Sequence, residues 1–167
     1  PVEVCERVIG AVYDDRYALV SAASATLTSC ALVCRAWRSP AQRVLFHYVT
    51  LRDKDMLYSF RELLDASPEL GPYVHALELR GYLHVPYSPA VLFPTVIGGR
   101  LVNLVEVHLI ENLPTLPIHR FLPSLFASCI SHIRSLSLYA VIFPSFADFA
   151  RILHALPDLR ELDCQSV

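Results

Sequence analysis

The side chains of this sequence that could do chemistry are its seven histidines, five cysteines and several carboxylates. The histidines show neither the H-E-x-x-H spacing nor a similar spacing by which a helix holds zinc. The sequence also has no G-x-S-x-G nucleophile motif and, with only five glycines, no glycine-rich phosphate loop. It therefore predicts no catalytic residue, no metal site and no cofactor.

Two of the cysteines, Cys30 and Cys34, are four residues apart in a helical pattern that would place both on one helix face. Such a pair could bind a metal or form a redox couple, but there is no C-x-x-C motif and no histidine at ligand spacing. We interpret Cys34, which follows Leu32 and Val33 inside the helical pattern, as a buried and inert core residue. The odd, scattered set of cysteines favours a reducing compartment, the cytoplasm or the nucleus.

Acid–base catalysis would need paired carboxylates, and the candidates are Glu78, Glu106, Glu161 and Asp163. Each of them lies next to apolar positions of a strand-like segment, in the places that alternate with those positions. Because side chains alternate between the two faces of a strand, the pattern predicts a solvated face rather than a catalytic pair.

The composition indicates a folded chain with a sizeable core, because 54% of the residues are apolar and 18% are charged. The net charge of −2 supplies no basic field for a phosphate backbone, so we expect no nucleic-acid partner. Two long uncharged stretches, 17–34 and 81–99, are interrupted by hydroxyl residues or by prolines. We therefore predict no membrane span.

A repeated pattern organises most of the chain. Five segments of the form apolar-x-x-apolar-x-apolar have first residues 28, 30, 29 and 26 positions apart. The alternation at the end of each segment is typical of a half-buried strand, and helix-like stretches bounded by Pro, Gly or Ser lie between the segments. A strand and a helix at this period are the signature of a leucine-rich-repeat solenoid. The segments are 46–51, 74–79, 104–109, 133–138 and 159–164.

The repeat predicts five neighbouring parallel strands in chain order, whose apolar pairs share one core. Helices are predicted around Leu57–Leu64, between Ser88-Pro89 and Gly98-Gly99, around Phe121–Cys129, and from Ser145 to Pro157. The array looks truncated at Val167, so its last repeat is expected to fray. The predicted core pairs are Val49 and Leu51, Leu77 and Leu79, Val107 and Leu109, Leu136 and Leu138, and Leu162 and Cys164.

The first 45 residues have a helical pattern instead. Val4 and Val8 recur at helical spacing in a first helix, and residues 13–25 look like a connection. A second helix is predicted from Leu27 to Trp37, and Pro40 either ends it or opens a short third helix.

This helical segment resembles an F-box. The family pattern is Leu-Pro-x-Glu-apolar, a helix, and then Val-Cys-x-x-Trp on a second helix. The chain matches it at Pro1, Glu3, Val4, Val8 and Val12, and again at Val33, Cys34 and Trp37. Residues 46–167 look like the leucine-rich-repeat half of fungal-type F-box proteins, although the Asn that often follows each strand occurs once, at Asn112.

The resemblance implies a substrate-recognition subunit of a Skp–cullin–F-box ubiquitin ligase, with no chemistry of its own. Residues 1–45 would bind a Skp-family adaptor, and through it a cullin, while residues 46–167 would bind an unknown protein target. Three short helices cannot bury their own apolar surface, and the adaptor would cover the remainder. The predicted adaptor contacts are Pro1, Val4, Val8, Leu32, Val33 and Trp37.

A target would be bound by side chains that alternate with the core positions and so face the inner curve of the sheet. Stacking the repeats would place Glu78 near Glu106 and His108, an acidic centre that suits a partner with some positive charge. Tyr and Arg most often anchor interfaces. The predicted target contacts are Tyr48, Arg52, Arg80, His108 and Tyr139.

Three alternatives stay open. The helical segment could be the cap of a protein-binding scaffold that has no link to ubiquitin. The predicted target surface could be a solvated face, with targets bound by repeats that this chain lacks. An enzyme site could be assembled from the repeat loops, for example around His84 or His108.

Overall fold

The computed structural model describes residues 2–12, 20–81, 87–111, 124, 130–143 and 145–166. The chain forms two compact units, Pro1–Val49 and Thr50–Val167, called here the helical unit and the sheet unit. Of the predicted helix over Phe121–Cys129 only Ser124 is described, and Asn112 lies outside the described residues.

The helical unit contains three helices, α1 (Val2–Val12), α2 (Val20–Val33) and α3 (Arg35–Leu45). Its core consists of Ile9, Leu27 and Ala41, one residue from each helix. Five half-buried residues pack against these three: Cys30, Ala31, Trp37, Val44 and Leu45.

Three predicted boundaries in this unit are wrong. Helix α2 begins at Val20, inside the stretch predicted as a connection, because its small residues are compatible with a helix. The chain then breaks at Cys34, whose extended backbone (φ −161°, ψ 168°) caps α3, its carbonyl accepting from the N–H of Trp37 and Arg38. Pro40 lies inside α3 rather than at an end, and its burial with Ala41 offsets the missing hydrogen bond.

The sheet has five strands, β1 (Tyr48–Leu51), β2 (Ala76–Gly81), β3 (Glu106–Glu111), β4 (Ser135–Tyr139) and β5 (Glu161–Gln165). They lie in the order β1-β2-β3-β4-β5, and the pairs from β2 to β5 are parallel. The prediction of neighbouring strands in chain order is therefore confirmed. The fold is a mixed α/β fold with a five-stranded parallel sheet.

The described helices of the sheet unit are α4 (Lys54–Ala66), α5 (Pro89–Val96) and α6 (Phe146–His154), with 3-10 turns at Pro68–Tyr73 and Gly98–Arg100. Asp53 caps α4, since its side chain accepts from the N–H of Met56 at 2.8 Å. Ser145 caps α6 and accepts from the N–H of Asp148 at 3.3 Å. None of the helices in the described part of the chain has the length and apolarity to cross a membrane.

The core of the sheet follows the predicted alternation across β1 to β4. The residues at these core positions are buried: Leu51, Leu77, Leu79, Val107, Leu109, Leu136 and Leu138. Val49 is half-buried, while Leu162 and Cys164 on β5 are exposed. Strand β5 is the outermost strand, so these two residues have a neighbouring strand on one side. Strand β5 pairs with β4 along its whole length, from Glu161 to Gln165, and fraying of this last repeat stays a prediction.

Candidate functional site

The helical unit exposes four of the apolar residues predicted to contact an adaptor. The exposed fractions are 54% for Val4 and 46% for Val8 on α1, and 82% for Leu32 and 67% for Val33 at the end of α2. Val4 and Val8 are four residues apart and therefore share a face of α1. Val4, Val8, Leu32 and Val33 thus leave apolar side chains accessible on both α1 and the end of α2.

The other two predicted adaptor contacts are placed differently. Trp37 is half-buried and packs against the cluster of Ile9, Leu27 and Ala41. It therefore contributes to the core of the helical unit, and a substitution there would affect folding as well as binding. Pro1 lies outside the described residues.

The interpretation of Cys34 as a buried residue inside a helix is wrong. Cys34 is exposed, because the chain leaves α2 there and caps α3 in an extended conformation. Cys30, four residues earlier, is half-buried against the core of the helical unit. The break between the helices thus separates two thiols that a continuous helix would have placed on one face.

The sheet brings three of the five predicted target contacts onto one face. Across β2, β3 and β4, Arg80 pairs with Ile110, which pairs with Tyr139. His108, two residues before Ile110, lies on the same face of β3. Arg52 is exposed directly after β1, and Tyr48 is half-buried at the start of β1. The register of β2 to β4 therefore brings Arg80, His108 and Tyr139 onto one face of the sheet.

Part of this face is not solvated, which contradicts the prediction for Glu78 and His108. Their exposed fractions are 5% and 9%, and they lie opposite one another on β2 and β3. Alternation determines the face on which a side chain lies, but not whether that face is covered. The Arg80 Nε lies 2.5 Å from the Glu78 Oε1, and the His108 Nε2 lies 3.0 Å from the Glu106 Oε1.

Toward β4 and β5, side chains on the same face are exposed to solvent. Tyr139 is 49% exposed, and the carboxylates of Glu161 and Asp163 are exposed as predicted. The side chain of Arg80 is 42% exposed, so its guanidinium is accessible while it pairs with Glu78. Arg80 and Tyr139 are accessible to a partner, whereas His108 is buried.

A second polar region lies at the amino ends of the strands and was not predicted. This region is a groove of about 700 Å³, which is lined by residues that precede β2, β3, β4 and β5. Its polar and charged lining includes His75, Asn103, His132, Arg134, Asp158 and Arg160.

A repeated hydrogen-bond pattern holds this region. The His75 carbonyl accepts from the N–H of Val105 at 2.9 Å and of Glu106 at 3.0 Å. In the same way, the Val105 carbonyl accepts from two N–H groups at the amino end of β4, and the Arg134 carbonyl accepts from two N–H groups at the amino end of β5. These residues hold equivalent positions on neighbouring strands. The signal was present in the sequence, because the second residues of the five segments are His47, His75, Val105, Arg134 and Arg160.

No group of three His, Cys, Asp or Glu side chains among the described residues is arranged to hold a metal ion. Cys30, Cys34 and Cys164 are free thiols. No protein-family model matches this chain, and no curated protein has a significant sequence match to it.

Proposed function

We propose that this chain is the substrate-recognition subunit of a Skp–cullin–F-box type ubiquitin ligase. The observation that supports the proposal best is the exposure of Val4, Val8, Leu32 and Val33 on a three-helix unit. The core of that unit has three fully buried apolar residues, Ile9, Leu27 and Ala41. A unit of this size leaves apolar surface uncovered, and a helical adaptor would cover it.

The energetics are consistent with specific binding. Burying one large aliphatic side chain contributes about 1.5–3 kcal/mol. Leu32 is 82% exposed, so nearly all of its side-chain surface is available for burial by a partner. The four residues together could thus contribute several kcal/mol, on the order of what offsets the entropy lost on association.

The sheet unit would bind the target protein. Arg80 and Tyr139 supply accessible side chains of the types that anchor interfaces, next to the exposed carboxylates of β5. The protein would perform no chemistry. It would raise the concentration of its target beside a transferring enzyme that the cullin carries.

The direct test is co-expression with a Skp-family adaptor and measurement of co-purification. The variant L32S/V33S removes two exposed apolar side chains and should reduce adaptor binding by tenfold or more. The matched control is M56S/L63S, which changes two apolar residues of α4 that are 40% and 39% exposed. The control should bind the adaptor as the unchanged chain does.

Deletion of residues 1–45 should abolish adaptor binding and leave target capture by the remaining residues. A folded chain that does not bind the adaptor at micromolar concentration would contradict the proposal. It would favour the second candidate, a protein-binding scaffold without a link to ubiquitin.

A further inference from the structure

The groove at the amino ends of β2 to β5 concentrates positive charge. Arg134 and Arg160 immediately precede β4 and β5, and both are exposed. The Arg160 N–H donates to the Arg134 carbonyl at 2.8 Å, so the two residues hold adjacent positions on neighbouring strands. His75 and His132 also line the groove, and Asp158 contributes a carboxylate.

Two like charges side by side on adjacent strands destabilise a sheet unless something compensates them. Within the described part of the chain, neither guanidinium lies within ion-pair distance of a carboxylate, although Asp158 lines the same groove. By contrast, four described arginines of the sheet unit do have an ion pair: Arg61, Arg80, Arg100 and Arg151. Arg134 and Arg160 thus form a cationic pair, and an anion placed between them would relieve their repulsion.

The groove is also elongated and partly fixed. It crosses four strands, and three interstrand spacings of about 4.8 Å give a length of about 14 Å. An extended peptide of about four or five residues has this length. His75 Nδ1 lies 2.8 Å from the Tyr73 carbonyl oxygen, and the Asn103 side chain donates to the Pro72 carbonyl at 2.7 Å. These bonds orient two side chains of the wall before any ligand arrives.

We infer that this groove binds an acidic peptide segment in an extended conformation. Carboxylates of the segment accept from the guanidinium groups of Arg134 and Arg160, which are suited to bidentate pairing with carboxylates. Val102, which is 65% exposed, and Pro157 provide apolar contact for the side chains between the acidic residues. This site does not depend on adaptor binding or on the face that carries Arg80 and Tyr139.

The test measures binding of a fluorescein-labelled peptide of about seven residues, with glutamate and serine alternating, by fluorescence anisotropy on the full chain. The variant R134Q/R160Q should weaken binding by tenfold or more. Both side chains are exposed, so the variant should stay folded, and circular dichroism checks this. The charge-matched control is R35Q/R38Q on α3, which changes two other exposed arginines.

The control should change the affinity by less than about twofold, because it removes the same number of charges from residues that do not line the groove. Equal losses in both double variants, or no peptide binding at millimolar concentration, would overturn the inference.

Competition separates a peptide site from a site for free phosphate. Inorganic phosphate should displace the peptide no better than sodium chloride of equal ionic strength, and stronger displacement would show a small-anion site instead. The variant D158N should tighten peptide binding, and a weakening would also count against the inference.

Discussion

His108 lies directly opposite Glu78 on the neighbouring parallel strand, and both side chains are buried. Arg80, two residues along β2, pairs with Glu78, and Glu106 lies 3.0 Å from His108 on β3. The Glu78 carboxylate thus has a cationic partner on its own strand, and the His108 imidazole has the Glu106 carboxylate beside it. A buried carboxylate needs such partners, because desolvation of an uncompensated charge costs several kcal/mol.

The first prediction concerns this buried carboxylate. The substitution Arg80→Met keeps the aliphatic stem and removes the guanidinium that pairs with Glu78. We expect it to lower the free energy of unfolding by about 1–3 kcal/mol, measured by urea denaturation. Arg52→Met changes an exposed arginine of the same unit and should have an effect within about 0.5 kcal/mol.

A double-mutant cycle sharpens this prediction. In a Glu78→Gln background the carboxylate that pairs with Arg80 is absent, so Arg80→Met should cost clearly less than it does in the unchanged chain. If the cost is the same in both backgrounds, the effect of Arg80 comes from its packing and not from the ion pair.

The second prediction compares equivalent positions of two neighbouring strands. Leu136 on β4 is fully buried, and its partner Leu162 on β5 is 42% exposed. Leu136→Ala should cost about 2–5 kcal/mol of unfolding free energy because it leaves a cavity. Leu162→Ala should cost about 1 kcal/mol or less, since much of its side chain already contacts water. Similar costs at both positions would mean that β5 is covered on its apolar face in solution.

The third prediction concerns two glycines. A Cβ added at Gly71 would lie 2.5 Å from the carbonyl oxygen of Arg100, whereas one added at Gly99 would have no atom within 4 Å. Gly71→Ala must therefore shift one backbone segment against another, and we expect a loss of about 1–3 kcal/mol. Gly99→Ala should be neutral or slightly stabilising, because it restricts the unfolded chain without a clash. Thermal unfolding of the two variants in parallel gives the comparison, and an unchanged midpoint for Gly71→Ala would contradict it.

The parallel strand order and register could be predicted because the same pattern recurs in every repeat. Leu77, Val107, Leu136 and Leu162 occupy one position of that pattern, and they are paired across β2 to β5. The burial of Glu78 could not be predicted, because alternation carries no information on what covers a face. The partner Arg80 was visible two residues along the strand, but a pair at this spacing is also typical of an exposed strand.

The helix break at Cys34 was missed for a related reason. The apolar spacing from Leu27 to Trp37 fits one continuous helix, and no Gly or Pro marks a boundary at Cys34. The break depends on packing of Leu27, Ala41 and Ile9 from three helices, which local spacing does not encode. The groove before the strands could not be predicted from the apolar pattern, because Arg134 and Arg160 occupy a polar position of the same repeat.

The last prediction concerns the thiol of Cys164 on β5. Partial burial raises the pKa of this thiol above its ordinary value, and the neighbouring Asp163 carboxylate raises it further by disfavouring the thiolate. At a pH below the pKa of Cys164, less of the reactive thiolate is present than for an ordinary cysteine. Asp163→Asn removes the second cause, so the pKa should fall and alkylation by iodoacetamide should become faster.

The increase should be modest, roughly two- to threefold, because adjacent residues of a strand point to opposite faces and water screens the charge. Peptide-level mass spectrometry isolates Cys164 from the other cysteines. The rate advantage of Asp163→Asn should shrink as the pH rises through the pKa, since the thiol is then ionised in both proteins. The control Asp158→Asn removes an exposed carboxylate outside β5 and should leave the rate unchanged. If Asp163→Asn slows alkylation, or if both variants accelerate it equally, the carboxylate of Asp163 does not act locally on this thiol.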